Sequence, residues 1–217
     1  MSAFDIVVNA GLWFDGTGAP GLRRNRGIRD GVVAEVSTTR LEIGPDTEVI
    51  DAAGKWVLPG VVDVHTHYDA EALVSPGLPE SVRHGVTTVV LGNCSLSTVY
   101  STPREIADLF SRVEAVPHDA VLRILEANKT WTGPAAYTAA LEALPLGPNV
   151  AAFIGHSDIR THVLGLGRGT DKKVKPTRSE LGRMGSMLED AIDAGMLGLS
   201  SMTNALDKID GDEYRSR

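Results

Sequence analysis

Two histidines one residue apart, His65 and His67, end an apolar run in GVVDVHTHYD, residues 60–69. Side chains two positions apart on a strand point the same way, with Cα atoms about 6.5–7 Å apart, so both imidazoles can reach one metal ion. Asp63 and Asp69 are close enough in sequence to accept hydrogen bonds from the rings. The alternative is that these are ordinary polar residues where a strand meets solvent. Their place at the end of a buried strand favours the metal site.

The single cysteine, Cys94, follows a second apolar run in VVLGNCS. A thiolate is a strong zinc ligand, although a lone cysteine is more often a small buried hydrophobic residue. Its position at the end of a neighbouring strand predicts that the thiol lies beside the two imidazoles. His156 ends a third predicted strand in FIGHSDIR, and Ser157 follows it. We expect them either to form a polar wall that binds substrate or to belong to a network that holds the loop.

The elements that must position these residues alternate between strand and helix from residue 57 onward, which is typical of a parallel α/β sheet. Four apolar runs predict strands at 57–65, 86–93, 149–156 and 196–201. Helix signals lie between them, with capping boxes at Thr102 and Thr177. The longest predicted helix presents Leu181, Met184, Leu188 and Ile192 as its core face. His118 and His162 are predicted to lie in loops. An open sheet and a closed (β/α) barrel both fit this pattern.

Residues 1–56 carry short strand-like runs punctuated by the hairpin signals Asp15-Gly16 and Asp30-Gly31. We therefore predict two domains, an N-terminal β-layer over 1–56 and a partial (β/α) barrel of about four strands over 57–217. The net charge of −7 argues against a nucleic-acid partner. The absence of a long apolar run argues against a membrane partner, and we expect a cytoplasmic protein.

The residues around the histidine pair and the cysteine resemble known motifs. LPGVVDVHTHYD is similar to the P-G-x-x-D-x-H-x-H signature of the amidohydrolase superfamily, metal-dependent hydrolases built on a (β/α)₈ barrel. HGVTTVVLGNCS, AFIGHSDIRTHVLG and AGMLGLSS resemble segments of its D-aminoacylase branch, the N-acyl-D-amino-acid deacylases. The resemblance runs through nearly the whole chain and implies the first half of such a barrel, preceded by a small β-layer.

The resemblance also implies a function and a site. His65, His67 and Cys94 fill metal positions, and the branch uses one or two zinc ions to hydrolyse the linear amide of an N-acyl-D-amino acid. The two further histidine ligands and the aspartate base of the branch fall beyond Arg217, so no catalytic base is identified in this chain. We therefore expect low zinc occupancy, no activity of the chain alone, and homo-oligomers formed through exposed strand edges.

Three hypotheses remain open at this point. The first is that the chain is part of a deacylase, and the second is that it is a non-catalytic half-barrel that at most binds metal. The third and weaker hypothesis is a cyclic-amide enzyme of the hydantoinase or dihydroorotase type. Cys94 argues against that third hypothesis, because those enzymes usually use a lysine carbamate. The stretch SSMTNALDKIDGDEY, residues 200–214, departs from the pattern of the branch, which weakens the assignment of the substrate.

Overall fold

The computed structural model describes residues 3–114, 116–171 and 173–202. The chain divides into two compact units, Met1–Gly60 and Val61–Arg217. Most of the divergent stretch 200–214 lies outside the described residues. Within the described ranges, every helix is too short or too polar to cross a membrane.

The first unit is a β-layer, as its strand-like runs predict. Its strands are β1 (Ile6–Trp13), β2 (Leu22–Arg29), β3 (Val32–Ser37), β4 (Glu48–Asp51) and β5 (Trp56–Val57). The order in the sheet is β3-β2-β1-β4, and β5 also pairs with β1. The predicted hairpin turn is present between β2 and β3, where Asp30 and Gly31 both have positive φ, at 52° and 74°.

The second unit is built on parallel strands that neighbour one another in chain order. They are β6 (Val61–Asp63), β7 (Val86–Leu91), β8 (Asn149–Ala152), β9 (Ile154–Gly155) and β10 (Leu199–Ser200). β7 lies between β6 and β8, while β9 pairs with β10. The third predicted strand is therefore split at Phe153, whose N–H still donates to the Leu91 carbonyl at 3.0 Å.

Seven α-helices and one 3₁₀ helix (Glu71–Leu73) of the second unit lie in the described ranges. The α-helices are α1 (Pro79–Arg83), α2 (Pro103–Val113), α3 (His118–Asn128), α4 (Pro134–Glu142), α5 (His156–Leu164), α6 (Leu166–Thr170) and α7 (Arg178–Asp193). Both predicted capping boxes form. The side chains of Thr102 and Thr177 accept hydrogen bonds from the backbone of Glu105 and Glu180, whose carboxylates bond back to the caps.

Three predictions about these helices are wrong. His118 is the first residue of α3 and His162 lies within α5, so neither is a loop residue. The third strand stops at Gly155, and His156 begins α5. Neither α3 nor α5 has a side-chain cap, since Pro117 and Gly155 occupy the N-cap positions, and so the usual start signal is missing from the sequence.

The core of the second unit has two parts. One surrounds β7 and includes the buried side chains of Leu91, Tyr137 and Ile154, and the other lies between α2 and α3 around Ile106 and Leu125. Met184 and Leu188 of α7 pack against the first part as predicted. Leu181 and Ile192, predicted on the same face, are exposed.

Candidate metal centre

The three predicted metal ligands lie together beyond the carboxyl ends of β6 and β7. Their candidate ligand atoms are all within 4.8 Å of one another. The Nε2 of His65 is 3.0 Å from the Sγ of Cys94, and the centroids of the His65 and His67 rings are 5.3 Å apart. The convergence expected from strand-end placement is therefore present, while the binding of a metal stays a prediction.

Thr66, between the two histidines, explains why both imidazoles face the same way. Its hydroxyl donates to the Val90 carbonyl on β7 at 2.7 Å and its N–H donates to the same oxygen at 3.3 Å. The residue is buried, so the chain after β6 remains fixed to β7. Alternation along an extended backbone then turns His65 and His67 to the opposite side.

The two aspartates near the histidine pair accept hydrogen bonds from backbone N–H groups. Asp63 Oδ1 accepts the N–H of His65 at 3.2 Å, and Asp69 Oδ1 accepts the N–H of Gly92 at 3.2 Å. These contacts replace the imidazole hydrogen bonds that the sequence suggested. Asp69 is only 2% exposed, and burial raises its pKa to about 7. Both carboxylates therefore stabilise the backbone around the histidines.

The loop that presents Cys94 has an unusual backbone. Cys94 and Ser95 both have positive φ, at 51° and 71°, a conformation that costs free energy in non-glycine residues. Ser95 is held by two contacts: its N–H donates to Ser200 Oγ at 3.2 Å, and its hydroxyl lies 2.7 Å from Ser157 Oγ. Residues from three strand ends thus hold the thiol in one place.

Ser157 belongs to the network that holds this loop. Its side chain is buried, and its N–H donates to the carbonyl and the hydroxyl of Ser95 at 2.9 and 2.8 Å. The sequence left two roles open for Ser157, binding of substrate and holding of the loop. Its hydrogen bonds to Ser95 are those of a residue that holds the loop. His156 occupies the first position of α5, where burial lowers its pKa. Its contact with substrate stays a prediction.

Asp158 is the anchor of the segment that follows Cys94. Its carboxylate is fully buried and accepts four hydrogen bonds of 2.7–3.1 Å from donors of the 97–101 segment: Ser97 Oγ and the N–H groups of Val99, Tyr100 and Ser101. Its burial and its four donors assign it to holding the loop.

Glu114 is a neighbour of the centre that sequence reasoning missed. It follows the last residue of α2, and its Oε1 lies 3.1 Å from the Nε2 of His67. Nothing local in the sequence relates the end of this helix to the histidine pair. The contact depends on how α2 packs, through Ile106 and Phe110, into the core between α2 and α3.

The electrostatics of the centre favour uncharged side chains. Burial lowers the pKa of His67, an effect that Glu114 opposes and His65 reinforces. Burial also raises the pKa of the Cys94 thiol, and the charge of Glu114 adds to this. A cation would reverse the balance, because metal binding displaces the thiol proton and uses the lone pair of a neutral imidazole.

The donor set fits a zinc ion. Two imidazoles and a thiolate are the nitrogen and sulfur ligands that zinc prefers. The Nδ1 of His67 is buried and lacks a hydrogen-bond partner among the described residues. A buried nitrogen without a hydrogen-bond partner is the environment expected where an ion completes the contacts.

Parallel strands neighbour one another in chain order in the second unit, a β-layer precedes them along the chain, and a histidine pair and a cysteine follow the ends of two of the strands. Residues 48–216 match the family model described as Amidohydrolase family. The chain belongs to this family.

The chain is similar to an uncharacterized protein and to solved structures of two deacylases. The chain is 61% identical over 214 residues, 99% of its length, to an uncharacterized protein of Mycobacterium tuberculosis, of which it covers 35%. A structure of N-acyl-D-glutamate deacylase from Bordetella bronchiseptica, complexed with zinc and a phosphonate inhibitor, is 34% identical with a TM-score of 0.74. A D-aminoacylase structure is 32% identical with a TM-score of 0.71.

These comparisons also define how much of the fold is present. The chain is aligned over 91% of its own length with each of the two structures but covers 38% of each of them. The expectation of the first part of a (β/α)₈ amidohydrolase barrel, preceded by a β-layer, is confirmed, as is the similarity to the D-aminoacylase branch.

Proposed function

We propose that this chain provides part of the zinc centre of a hydrolase that deacylates N-acyl-D-amino acids. The observation that carries the proposal is the contact of 3.0 Å between Cys94 Sγ and His65 Nε2, at the ends of neighbouring strands. A cysteine at this place is the feature by which the chain resembles the D-aminoacylase branch. The similar structures named for D-aminoacylase and for a zinc-bound N-acyl-D-glutamate deacylase support it.

The residues of the chain have separate tasks in this proposal. His65, His67 and Cys94 would hold the ion. Bound zinc would supply Lewis acidity, which polarises an amide carbonyl and lowers the pKa of a water molecule. Ser157 holds the loop of Cys94 in place, so the thiolate needs no rearrangement to bind. His156, at the start of α5, is the residue of this chain that we assign to substrate contact.

Proton transfer is a step to which we assign no residue of this chain. A catalytic base must reach the proton that it removes, within hydrogen-bond distance or through one water molecule. Asp69 and Asp158 are buried, and Asp63 accepts the N–H of His65. We therefore expect the 217-residue chain alone to bind zinc without deacylating a substrate.

The test is an assay of the complete gene product, loaded with zinc, on matched D and L forms of N-acetylglutamate and N-acetylmethionine. We expect turnover of the D series, loss of that turnover in Cys94→Ala, and retention in the control His84→Ala, since His84 is exposed beside α1. A preference for the L series would refute the proposal. Activity on a hydantoin without activity on linear amides would support the cyclic-amide alternative instead.

A further inference from the structure

The hydroxyl of Ser200, at the end of β10, contacts both sides of the loop that presents Cys94. It accepts the N–H of Ser95 at 3.2 Å and donates to the carbonyl of Gly92. Gly92 and Ser95 stand before and after the tip of the loop, which is formed by Asn93 and Cys94. One oxygen therefore joins the chain before the thiol to the chain after it, although Ser200 is none of the three candidate ligands.

The backbone of this loop is strained and has to be held. Cys94 and Ser95 both have positive φ, at 51° and 71°, a conformation that crowds the Cβ of a non-glycine residue. Within the loop, one backbone hydrogen bond closes the turn, from the N–H of Leu96 to the carbonyl of Asn93 at 2.9 Å. Rotation of Cys94 towards negative φ would relieve the strain and would carry its Sγ away from its present place, 3.0 Å from His65 Nε2.

Two other segments each hold one side of the loop. Asp69 accepts the N–H of Gly92 at 3.2 Å. The N–H of Ser157 donates to the carbonyl and the hydroxyl of Ser95 at 2.9 and 2.8 Å. Ser200 differs from both because it ties the two sides to each other, which sets the width of the loop.

We propose that Ser200 is a positioning residue, whose hydroxyl fixes the Cys94 thiol at the place where it can bind a metal ion. Ser95 is 1% exposed, so without this hydroxyl its N–H would lose its acceptor in a place shielded from water. The thiol tolerates little movement, because a zinc–sulfur bond is about 2.3 Å long and a working site keeps such distances within about 0.2 Å. The inference rests on the proposed metal centre and adds to it a residue that orients one of the ligands.

The experiment measures metal binding by the 217-residue chain, so it requires no catalysis. Zn²⁺ affinity is measured by competition with a chromophoric chelator, and the near-ultraviolet charge-transfer band of bound Co²⁺ reports its bond to the thiolate. Ser200→Ala removes the hydroxyl, and Ser201→Ala is the matched control, the same change at the next residue, which is exposed. Circular dichroism and urea unfolding without metal measure whether each variant is folded and how stable it is.

A second pair of variants keeps the size of the side chain constant. Ser200→Thr retains the hydroxyl and Ser200→Val replaces it by a methyl group, and both side chains are common in strands. The difference in Zn²⁺ affinity between these two variants isolates the hydroxyl, and it decides the question if Ser200→Ala does not fold.

We expect Ser200→Ala to bind Zn²⁺ about 10–100-fold more weakly than the unmodified chain, the loss typical of removing a residue that orients a ligand. The Co²⁺ band should lose intensity in this variant, whereas Ser201→Ala should change neither quantity. Ser200→Thr should bind Zn²⁺ at least about tenfold more tightly than Ser200→Val. Equal affinities of Ser200→Ala and the unmodified chain, or of the threonine and valine variants, would overturn the proposal. A lower free energy of unfolding with equal affinity would leave Ser200 with a structural role alone.

The outcomes separate this inference from the proposed function. If the unmodified chain binds Zn²⁺, Cys94→Ser weakens that binding, and Ser200→Ala does not, then only the role of Ser200 is wrong. If the unmodified chain binds no Zn²⁺, or if Cys94→Ser has no effect, the metal centre is wrong, and both the inference and the proposed function fail with it.

Discussion

Replacing Asp158 by asparagine should loosen the loop that presents Cys94. The carboxylate receives three donors on Oδ2 and a fourth, the N–H of Ser101, on Oδ1. An asparagine has one acceptor oxygen and one NH₂ group, so it can satisfy one side of this arrangement only. With its oxygen in the place of Oδ2, its NH₂ group would face the Ser101 N–H, and neither donor would find an acceptor.

The size of the effect follows from these four contacts. The three hydrogen bonds that remain would change from charge-assisted to neutral strength, a loss of about 1 kcal/mol each. The opposed donors would leave a buried N–H unsatisfied, at a cost of about 2 kcal/mol. A neutral amide is easier to bury than a carboxylate, which offsets part of this cost. We expect a net decrease of about 3 kcal/mol in the free energy of unfolding, a large share of the 5–15 kcal/mol typical of a domain.

Urea unfolding of the second unit measures the change. Trp131 is a suitable reporter, because its indole N–H donates to the Thr98 carbonyl at 2.7 Å, within the segment that Asp158 holds. Trp13→Phe and Trp56→Phe remove the other two tryptophans, both of which lie in the first unit. Ser111→Ala is a control, since its hydroxyl makes a single long contact of 3.5 Å with the Asp108 carbonyl. A decrease below about 1 kcal/mol for Asp158→Asn would refute the reasoning.

Three further predictions concern other parts of the second unit. Gly92→Ala should lower the free energy of unfolding of the second unit in urea by about 3 kcal/mol or more, because φ of Gly92 is +73° and an added Cβ would overlap the Phe153 carbonyl oxygen. An unfolding free energy near that of the unmodified chain would show that this turn can relax. Hydrogen bonds to Asp119 and Asp108 raise the pKa of His118. The pKa of His118 is therefore higher in the folded than in the unfolded state, so protonation of His118 stabilises the fold. At this partly exposed site it adds about 0.5 kcal/mol to the free energy of unfolding. The stabilisation is complete below about pH 6.5 and is lost as the pH rises through the folded-state pKa. Unfolding curves of the unmodified chain and of His118→Gln should therefore converge at high pH, and a constant difference would contradict the assignment. We also expect the 217-residue chain to form homo-oligomers, because exposed valine and leucine side chains lie on β6 and β10; sedimentation of a 23.1 kDa monomer at micromolar concentration would contradict this.

The chain's local patterns predicted several of the elements, among them α2, α4 and α7, and three members of the centre, but they did not indicate α3 or α5. Capping boxes at Thr102 and Thr177 are complete within four residues, so they form where the sequence places them. The strands β6 and β7 lie in apolar runs, and His65, His67 and Cys94 follow the ends of these two strands, although the valines of β6 are exposed rather than buried as predicted. Parallel neighbouring strands end at the same edge of a sheet, which is why residues distant in the chain could be expected to meet.

The tertiary structure decided which polar residues do which task. Nothing in the sequence assigns Asp158 a task, and its role as an anchor follows from the position in α5 that places it among four donors of the segment after Cys94. Glu114 reaches His67 because α2 packs into the core between α2 and α3. No spacing of residues along the chain predicts this contact. α5 also lacks a side-chain cap, so its start at His156 depends on packing rather than on a local signal. Periodicity and caps act over a few residues, whereas burial and hydrogen-bond partners are set by segments far apart in the chain. That difference in range separates what the sequence alone determined from what the packed fold added.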